Sequence, residues 1–334
     1  MSSKRHFSLL IATVLILLIV QPAFSGGKQE EEKVYQMRTV TVLAKADPVG
    51  IAMQRFCDLV EARSDGRIQT TANFGNELGT QREQCEMVQG GSLEMVTSLT
   101  SGTGRYVPQL AVFAFPYVFK DDAHVVRCLD AMEDEVSRLL APHNFVAIGG
   151  QNMGFRHCLI KPKPVYKVAD FKGLKMRGPD PVYAGMFEAF GADAITTDWS
   201  EIYGALQTGV IDGMEASPAM IYSMKFQEQA RYFSKTYHIA AAVYYMFNKK
   251  WYDGLPEDLR KIVEEAAREG ARYQAELRER LDKEKMQAMI DEGVIVNEVD
   301  DMGSFREVQE GYKQKLLQKG PEWQDFYDKL KAID

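Results

Sequence analysis

Residues 256–292 keep one period for longer than an ordinary globular helix does. Leu259, Ile262, Val263, Ala266, Ala267, Tyr273, Leu277, Leu281, Met286, Met289 and Ile290 recur at helical spacing, and Leu255-Pro256 offers a start. The opposite face is dominated by Glu, Lys and Arg and reads as solvated. A helix of that length leans on more than one body of protein. The chain's 334 residues also exceed one ordinary core, so two domains are expected. Gly270, in the middle of the stretch, either bends the helix or lets a neighbour approach closely.

The first residues are read as an export signal. Lys4 and Arg5 precede the apolar run 7–20, and Ala23-Phe24-Ser25 supplies small residues for cleavage. Residues 1–25 are therefore expected to be a signal peptide and 26–33 a charged tether. The apolar run is short for a membrane-spanning helix, so an uncleaved anchor is the weaker alternative. No direct membrane insertion is expected after cleavage. The formal net charge of −7 argues against a nucleic-acid partner. Cys57, Cys85, Cys128 and Cys158 follow no zinc-site spacing. An exported compartment permits disulfides, but buried free thiols are the preferred reading.

From residue 34 onward, strand-like and helix-like segments alternate. Strands are expected over 34–43, 67–72 and 93–99, with helices over 51–64 and 81–89 between them. This β-α-β-α-β order suggests α/β architecture with a mainly parallel sheet. Ligands then sit at the carboxyl ends of the strands, here the loops 44–48, 74–80 and 99–104. The aromatic run 112–119 reads as core. Further strands are expected over 145–150, 151–160, 174–176, 192–197 and 237–247, and one or two amphipathic helices over 305–330.

One junction stands out chemically. Leu174-Lys175-Met176 ends a strand, Asp180 can cap a helix with Pro181 at its first position, and Gly191 can stop that helix. Arg177 falls between strand and helix, where unpaired N–H groups favour anions. Its planar guanidinium makes a two-pronged carboxylate receptor, although the same residues also suit a surface arginine beside a loop. Arg156 interrupts an apolar strand and needs an anionic partner, from protein or ligand. Arg177, Trp199 and Glu215 are all expected at strand-to-helix junctions.

An exported enzyme is the rival class. Cys85 or Ser217 would be its nucleophile, His157 or His238 its base, or Glu77 with Glu215 an acid/base pair. No GxSxG, HExxH, P-loop or CxxC motif accompanies them. His238, on an apolar strand, reads as a core residue.

The run 173–177 and the segment 199–215, from Trp199-Ser200-Glu201 to Asp212-Gly213-Met214-Glu215, resemble one family. So do Asn76-Glu77-Leu78-Gly79, the run 115–119, and the segment 248–256. In that order they are similar to the solute-binding subunits of tripartite ATP-independent periplasmic (TRAP) transporters, the dicarboxylate-binding family. The resemblance covers nearly all of the chain after residue 33. It implies a two-lobed α/β periplasmic-binding-protein fold with discontinuous lobes, crossing hinge strands and a long bracing helix. The implied lobes are 34–153 plus 242–281, and 154–241 plus 282–334.

The resemblance implies a non-enzymatic periplasmic protein that delivers a small organic carboxylate to TRAP permease subunits, with no cofactor. A two-lobed protein used for sensing is the alternative. Arg177 is implied to pair with the carboxylate, Arg156 to be a second ligand-contacting arginine, and Trp199 to pack on the ligand. Asp180, Gln81, Leu99 and Ala216 match positions of polar contact in sialic-acid-binding members. Glu215 and Glu77, within the matched runs, complete the expected set. Leu99 and Ala216 are apolar here, so a dicarboxylate, keto acid or aromatic acid is expected rather than a heavily hydroxylated sugar acid. No dedicated metal-ligand cluster is seen.

Overall fold

β1 (Tyr35–Val40) leads to α1 (Pro48–Arg63), whose start is set by Asp47. The Asp47 carboxylate accepts from the Val49 N–H at 2.9 Å, and Pro48 takes a position that needs no donor. β2 (Ile68–Asn73), α2 (Gln81–Gly90) and β3 (Met95–Leu99) complete the expected alternation. A 3-10 turn over Pro108–Ala114, α3 (Asp122–Leu140) and β4 (Phe145–Ile160) follow. Then come β5 (Lys175–Arg177), α4 (Pro181–Ala189), β6 (Asp193–Ile195), α5 (Ile202–Thr208), β7 (Gly213–Ala216) and α6 (Pro218–Ser223). β8 (Tyr232–Asn248), α7 (Lys249–Asp253), α8 (Glu257–Asp291), β9 (Ile295–Glu298), α9 (Met302–Leu317) and α10 (Pro321–Lys331) end the chain. This computed structural model describes residues 33–99 and 103–334, without the Leu99 side chain. The expected signal peptide and residues 26–32 of the tether lie outside the described residues. No described helix is long and apolar enough to cross a membrane.

Among the described residues one sheet runs β2-β1-β3-β8-β4-β7-β5-β6, with β9 paired to β8. The sheet is mixed rather than mainly parallel. β1 is parallel to β2 and β3, and β5 is parallel to β6 and β7, but β3–β8, β8–β4 and β4–β7 are antiparallel. β4 and β8, of 16 and 17 residues, are the reason. β8 pairs with β3 of the first trio through its second half, β4 pairs with β7 of the second trio through its last residues, and the two long strands pair with each other. These are the crossing strands of a two-lobed fold. The two segments expected over 145–160 are thus one strand, and β8 begins at Tyr232, before the expected 237. β9 was not expected: it is four residues long and only half-covered, with no alternation to read.

β4 carries the bends. Its pairing with β8 shifts register between Ile148 and Gln151 and again between Asn152 and Phe155. Gly149 (φ 67°) and Gly154 (φ 86°) sit at those shifts. A Cβ at Gly149 would lie 2.7 Å from the Ala267 carbonyl, and one at Gly154 would lie 2.9 Å from Arg278 Cδ. α8 therefore lies directly on the crossing strand. It is 35 residues and about 52 Å long. Gly270 serves close packing: its Cβ would meet the Tyr245 hydroxyl at 3.0 Å.

Two acids, buried Asp47 and half-buried Asp282, repel each other here. Asp282 of α8 accepts from the Ala219 N–H of α6 at 3.0 Å, and Arg278 joins Asp282 at 3.3 Å and Asp122 at 2.8 Å. Burial raises the Asp47 carboxyl to about 7, with the Asp282 charge adding to the rise and the Val49 N–H and Arg156 opposing it. Burial likewise raises Asp282 to about 6. A raised carboxyl keeps a proton in the folded state that the unfolded chain releases, so each acid lowers stability as pH rises from about 4 to about 7. Asp47→Asn keeps a good cap and removes part of that slope. Its unfolding free energy relative to the wild type should therefore grow across this window in urea titrations at stepped pH. Parallel curves would refute the assignment.

The two helices of the tail pack on different elements. α9 packs on α4, whereas α10 packs on the 3-10 turn Pro108–Ala114. Trp323 stacks on Phe115 and Phe326 meets Phe113 edge-on, so the aromatic run is core, as expected. The four cysteines are free and buried.

Candidate functional site

Arg177 is the last residue of β5, and Asp180 caps α4 three residues later. Asp180 Oδ1 accepts from the Val182 and Tyr183 N–H groups at 2.8 and 3.2 Å. The strand-to-helix junction read from the sequence is thus present. Arg177 is 4% exposed. Its Nε and Nη2 donate to the Thr197 carbonyl at 3.0 and 2.9 Å. It makes no ion pair among the described residues. One edge of the guanidinium is therefore spent on a neutral acceptor, and the Nη1–Nη2 edge remains available. Burial, together with the like charge of Arg156, pulls its pKa down to about 10 against the pull of Glu215 and Asp180, so it stays charged at neutral pH.

Two cavities meet at this side chain. The outer, about 640 Å³, has Asn76, Thr80, Gln81, Asp180, Thr196 and Asp198 among its walls. The inner, about 40 Å³, touches Met153, Arg156, Met220 and Val243. Val42, Gln81, Arg177, Pro179 and Trp199 line both. Gln81 is fixed by donating to Ser98 Oγ at 2.9 Å. The Trp199 ring lies 5.8 Å from the Arg177 guanidinium and edge-on to Phe226, and its buried Nε1–H has no acceptor among the described residues. Asn76 Oδ1 is likewise buried and unpartnered. The expected loop 74–80 lines the site through Asn76 and Thr80, and the next through Gly104, but Val42 and Leu43 stand where 44–48 was expected.

Arg156 finds its anion within the protein. Its Nε and Nη2 fork onto the Glu215 carboxylate, and Nη2 also donates to the Glu215 carbonyl at 2.7 Å. Only Nη1 turns elsewhere, to Met220 Sδ at 3.7 Å, on the inner chamber. Burial opposes ionisation of Glu215, but Arg156 and the His238 contact at 3.5 Å win and hold the carboxyl below its usual range. The pair is neutral as a unit. Arg177 is therefore the net charge of the inner chamber.

Three expected site residues line neither chamber, and a fourth cannot be placed by its side chain. Glu215 lies inside β7 rather than at a junction, behind Arg156, and lines neither chamber. Ala216 is buried beside it, paired with His157, and shapes no wall. Glu77 lines neither chamber. The Leu99 backbone pairs with Val243, and its side chain lies outside the described residues. Ala216 therefore lends no support to the expected apolar ligand, and the described walls set Asn76, Thr80, Gln81 and Asp180 among apolar Val42, Pro179, Pro181 and Trp199. Cys85, Ser217, His157 and His238, the residues of the enzyme reading, also line neither chamber. Arg82, Arg105, Lys319 and Trp323 do line the outer chamber and were not foreseen.

The family described as bacterial extracellular solute-binding protein, family 7, matches over residues 39–319. A solute-binding protein of Verminephrobacter eiseniae is 30% identical over 257 residues, 76% of each chain. Among solved structures, a TRAP periplasmic solute-binding protein from Sulfitobacter sp. with bound β-D-galacturonate is 27% identical. It superposes with a TM-score of 0.85 over 89% of this chain and 99% of that one. One from Chromohalobacter salexigens with bound D-glucuronate is also 27% identical, with a TM-score of 0.86 over 89% and 100%.

Proposed function

We propose, since the chain belongs to family 7 of the bacterial extracellular solute-binding proteins, that it acts in the periplasm as the capture subunit of a TRAP transporter. It takes a small organic carboxylate into the cleft between its lobes and hands it to membrane permease subunits. The observation that carries this is Arg177: a buried guanidinium without an acid partner among the described residues, beside a cavity, with one hydrogen-bonding edge to spare. Leaving a charge in that state is costly unless a partner arrives. An acid group placed end-on against Nη1 and Nη2 supplies it. Trp199 packs on the ligand, while Gln81, Asn76 and Asp180 address its polar groups. Arg156 contributes through Nη1 alone.

Hexuronates are the first ligands to test. Relatives 27% identical hold galacturonate and glucuronate, and Asn76, Thr80, Gln81 and Asp180 offer hydrogen-bonding groups for hydroxyls. The lobes proposed are 34–153 plus 242–281, and 154–241 plus 282–317, with α10 joined to the first. They close about the bends in β4. Calorimetry with galacturonate, glucuronate, succinate and neutral galactose tests the reading. At least one acid should bind at micromolar affinity, about −8 kcal/mol, and galactose should not. Equal binding of galactose, or binding of none of the acids, would overturn it.

A further inference from the structure

The outer chamber holds a second cation without an acid of its own. Lys319 lies in the turn between α9 and α10, lines the outer chamber, and makes no ion pair among the described residues. Its ammonium is seated 5.1 Å from the centroid of the Trp323 ring, so an indole face rather than a carboxylate holds it. Arg82 and Arg105 add to the positive field. Both bond Glu86 Oε1, at 3.0 and 2.7 Å, so two guanidiniums share one carboxylate.

The turn is well placed to meet a ligand. α9 packs on α4, which follows Arg177, and α10 packs on the 3-10 turn Pro108–Ala114, so the turn between them is held where Lys319 lines the cavity. The wall beside it is apolar, formed by Pro108, Ala111, Pro181 and Val182. The inner chamber touches Arg177 but not Lys319, so the two cations mark different depths of one cavity. Its volume, about 640 Å³, falls in the range of sites for drug-sized ligands, roughly 300–1,000 Å³. One six-carbon acid occupies only part of it.

We propose that Lys319, seated on Trp323, receives a second acid group, and that the ligand is a two-headed acid reaching from Arg177 to the α9–α10 turn. An acidic disaccharide with a carboxylate on each ring has this chemistry, and so has a long α,ω-dicarboxylate. The proposal rests on Arg177 as the carboxylate anchor. An ammonium on a flexible stem suits the outer end, because it tolerates either geometry, whereas the planar fork fixes the inner one.

Calorimetry on the full chain with galacturonate, α-1,4-digalacturonate and suberate tests it, in the wild type and in Lys319→Gln and Lys319→Glu. One two-headed acid should bind the wild type at least tenfold tighter than galacturonate. The ratio of the two affinities should fall at least fivefold in Lys319→Gln and further in Lys319→Glu. Tighter binding of digalacturonate supports the acidic sugar, and tighter binding of suberate the aliphatic diacid. Galacturonate binding as tightly as both, or a ratio unmoved by either variant, overturns the second subsite and leaves the Arg177 anchor standing. If none of the three acids binds, the anchor falls too.

Discussion

Arg177→Ala should lose at least about 100-fold in affinity for the bound acid while the unliganded protein stays folded. The size follows from the contacts at stake. Two charge-assisted hydrogen bonds in an occluded cleft are worth roughly 1.5–3 kcal/mol each, and every 1.4 kcal/mol is about tenfold. The asymmetry between binding and folding follows from the empty site. In the unliganded protein the guanidinium is buried against one neutral carbonyl, that of Thr197. Removing it ends an unfavourable desolvation as well as two modest hydrogen bonds, and the two effects oppose each other. Denaturant midpoints should accordingly move little.

Arg177→Lys separates charge from geometry. The ammonium restores a cation but not the flat pair of donors left after Thr197 is satisfied, so it should recover little of the lost affinity. Paired calorimetry and urea titrations on both variants check this. Near-wild-type affinity in the Ala variant would remove Arg177 from the site. Full recovery with Lys would show that the fork is irrelevant.

Arg177 was legible from sequence because its setting is local. The turn, the strand end, the Asp180 cap and Pro181 lie within a few residues of one another. Arg156 was half legible. An arginine in an apolar strand calls for an anion, but the anion lies 59 residues away across β4 and β7. Glu215 was expected at a strand-to-helix junction, whereas β7 begins only at Gly213 and holds Glu215 within it. The long helix and the aromatic run were readable because period and composition report burial directly. The outer wall was not. Trp323 sits on the apolar stripe of an amphipathic helix and looks like any core residue there, and Lys319 looks like any lysine in a polar turn. Only the packing of α10 on the 3-10 turn Pro108–Ala114 brings them to the cavity.

Glu215→Ala should have the opposite signature to Arg177→Ala, with a stability loss of about 3–5 kcal/mol, the range for breaking a buried ion pair from one side. Glu215 is wholly buried and Arg156 is 2% exposed, so the abandoned guanidinium would be left charged in a buried place with no carboxylate beside it. Its remaining contacts would be the residue-215 carbonyl and Met220 Sδ. Replacing both partners by apolar residues of similar size, Arg156→Met with Glu215→Leu, should restore most of the loss, because neither charge is then stranded. The sign with pH also separates this pair from the acids under α8. The Glu215 carboxyl is held down in the folded state, so its contribution is present above the ordinary carboxyl range and fades as pH falls through it. Asp47 and Asp282 act the other way, weakening the fold as pH rises. Urea midpoints of the single and double variants, taken at constant m-value, measure the difference. A double variant no more stable than Glu215→Ala would mean that the loss comes from packing at β7 rather than from the charge left on Arg156.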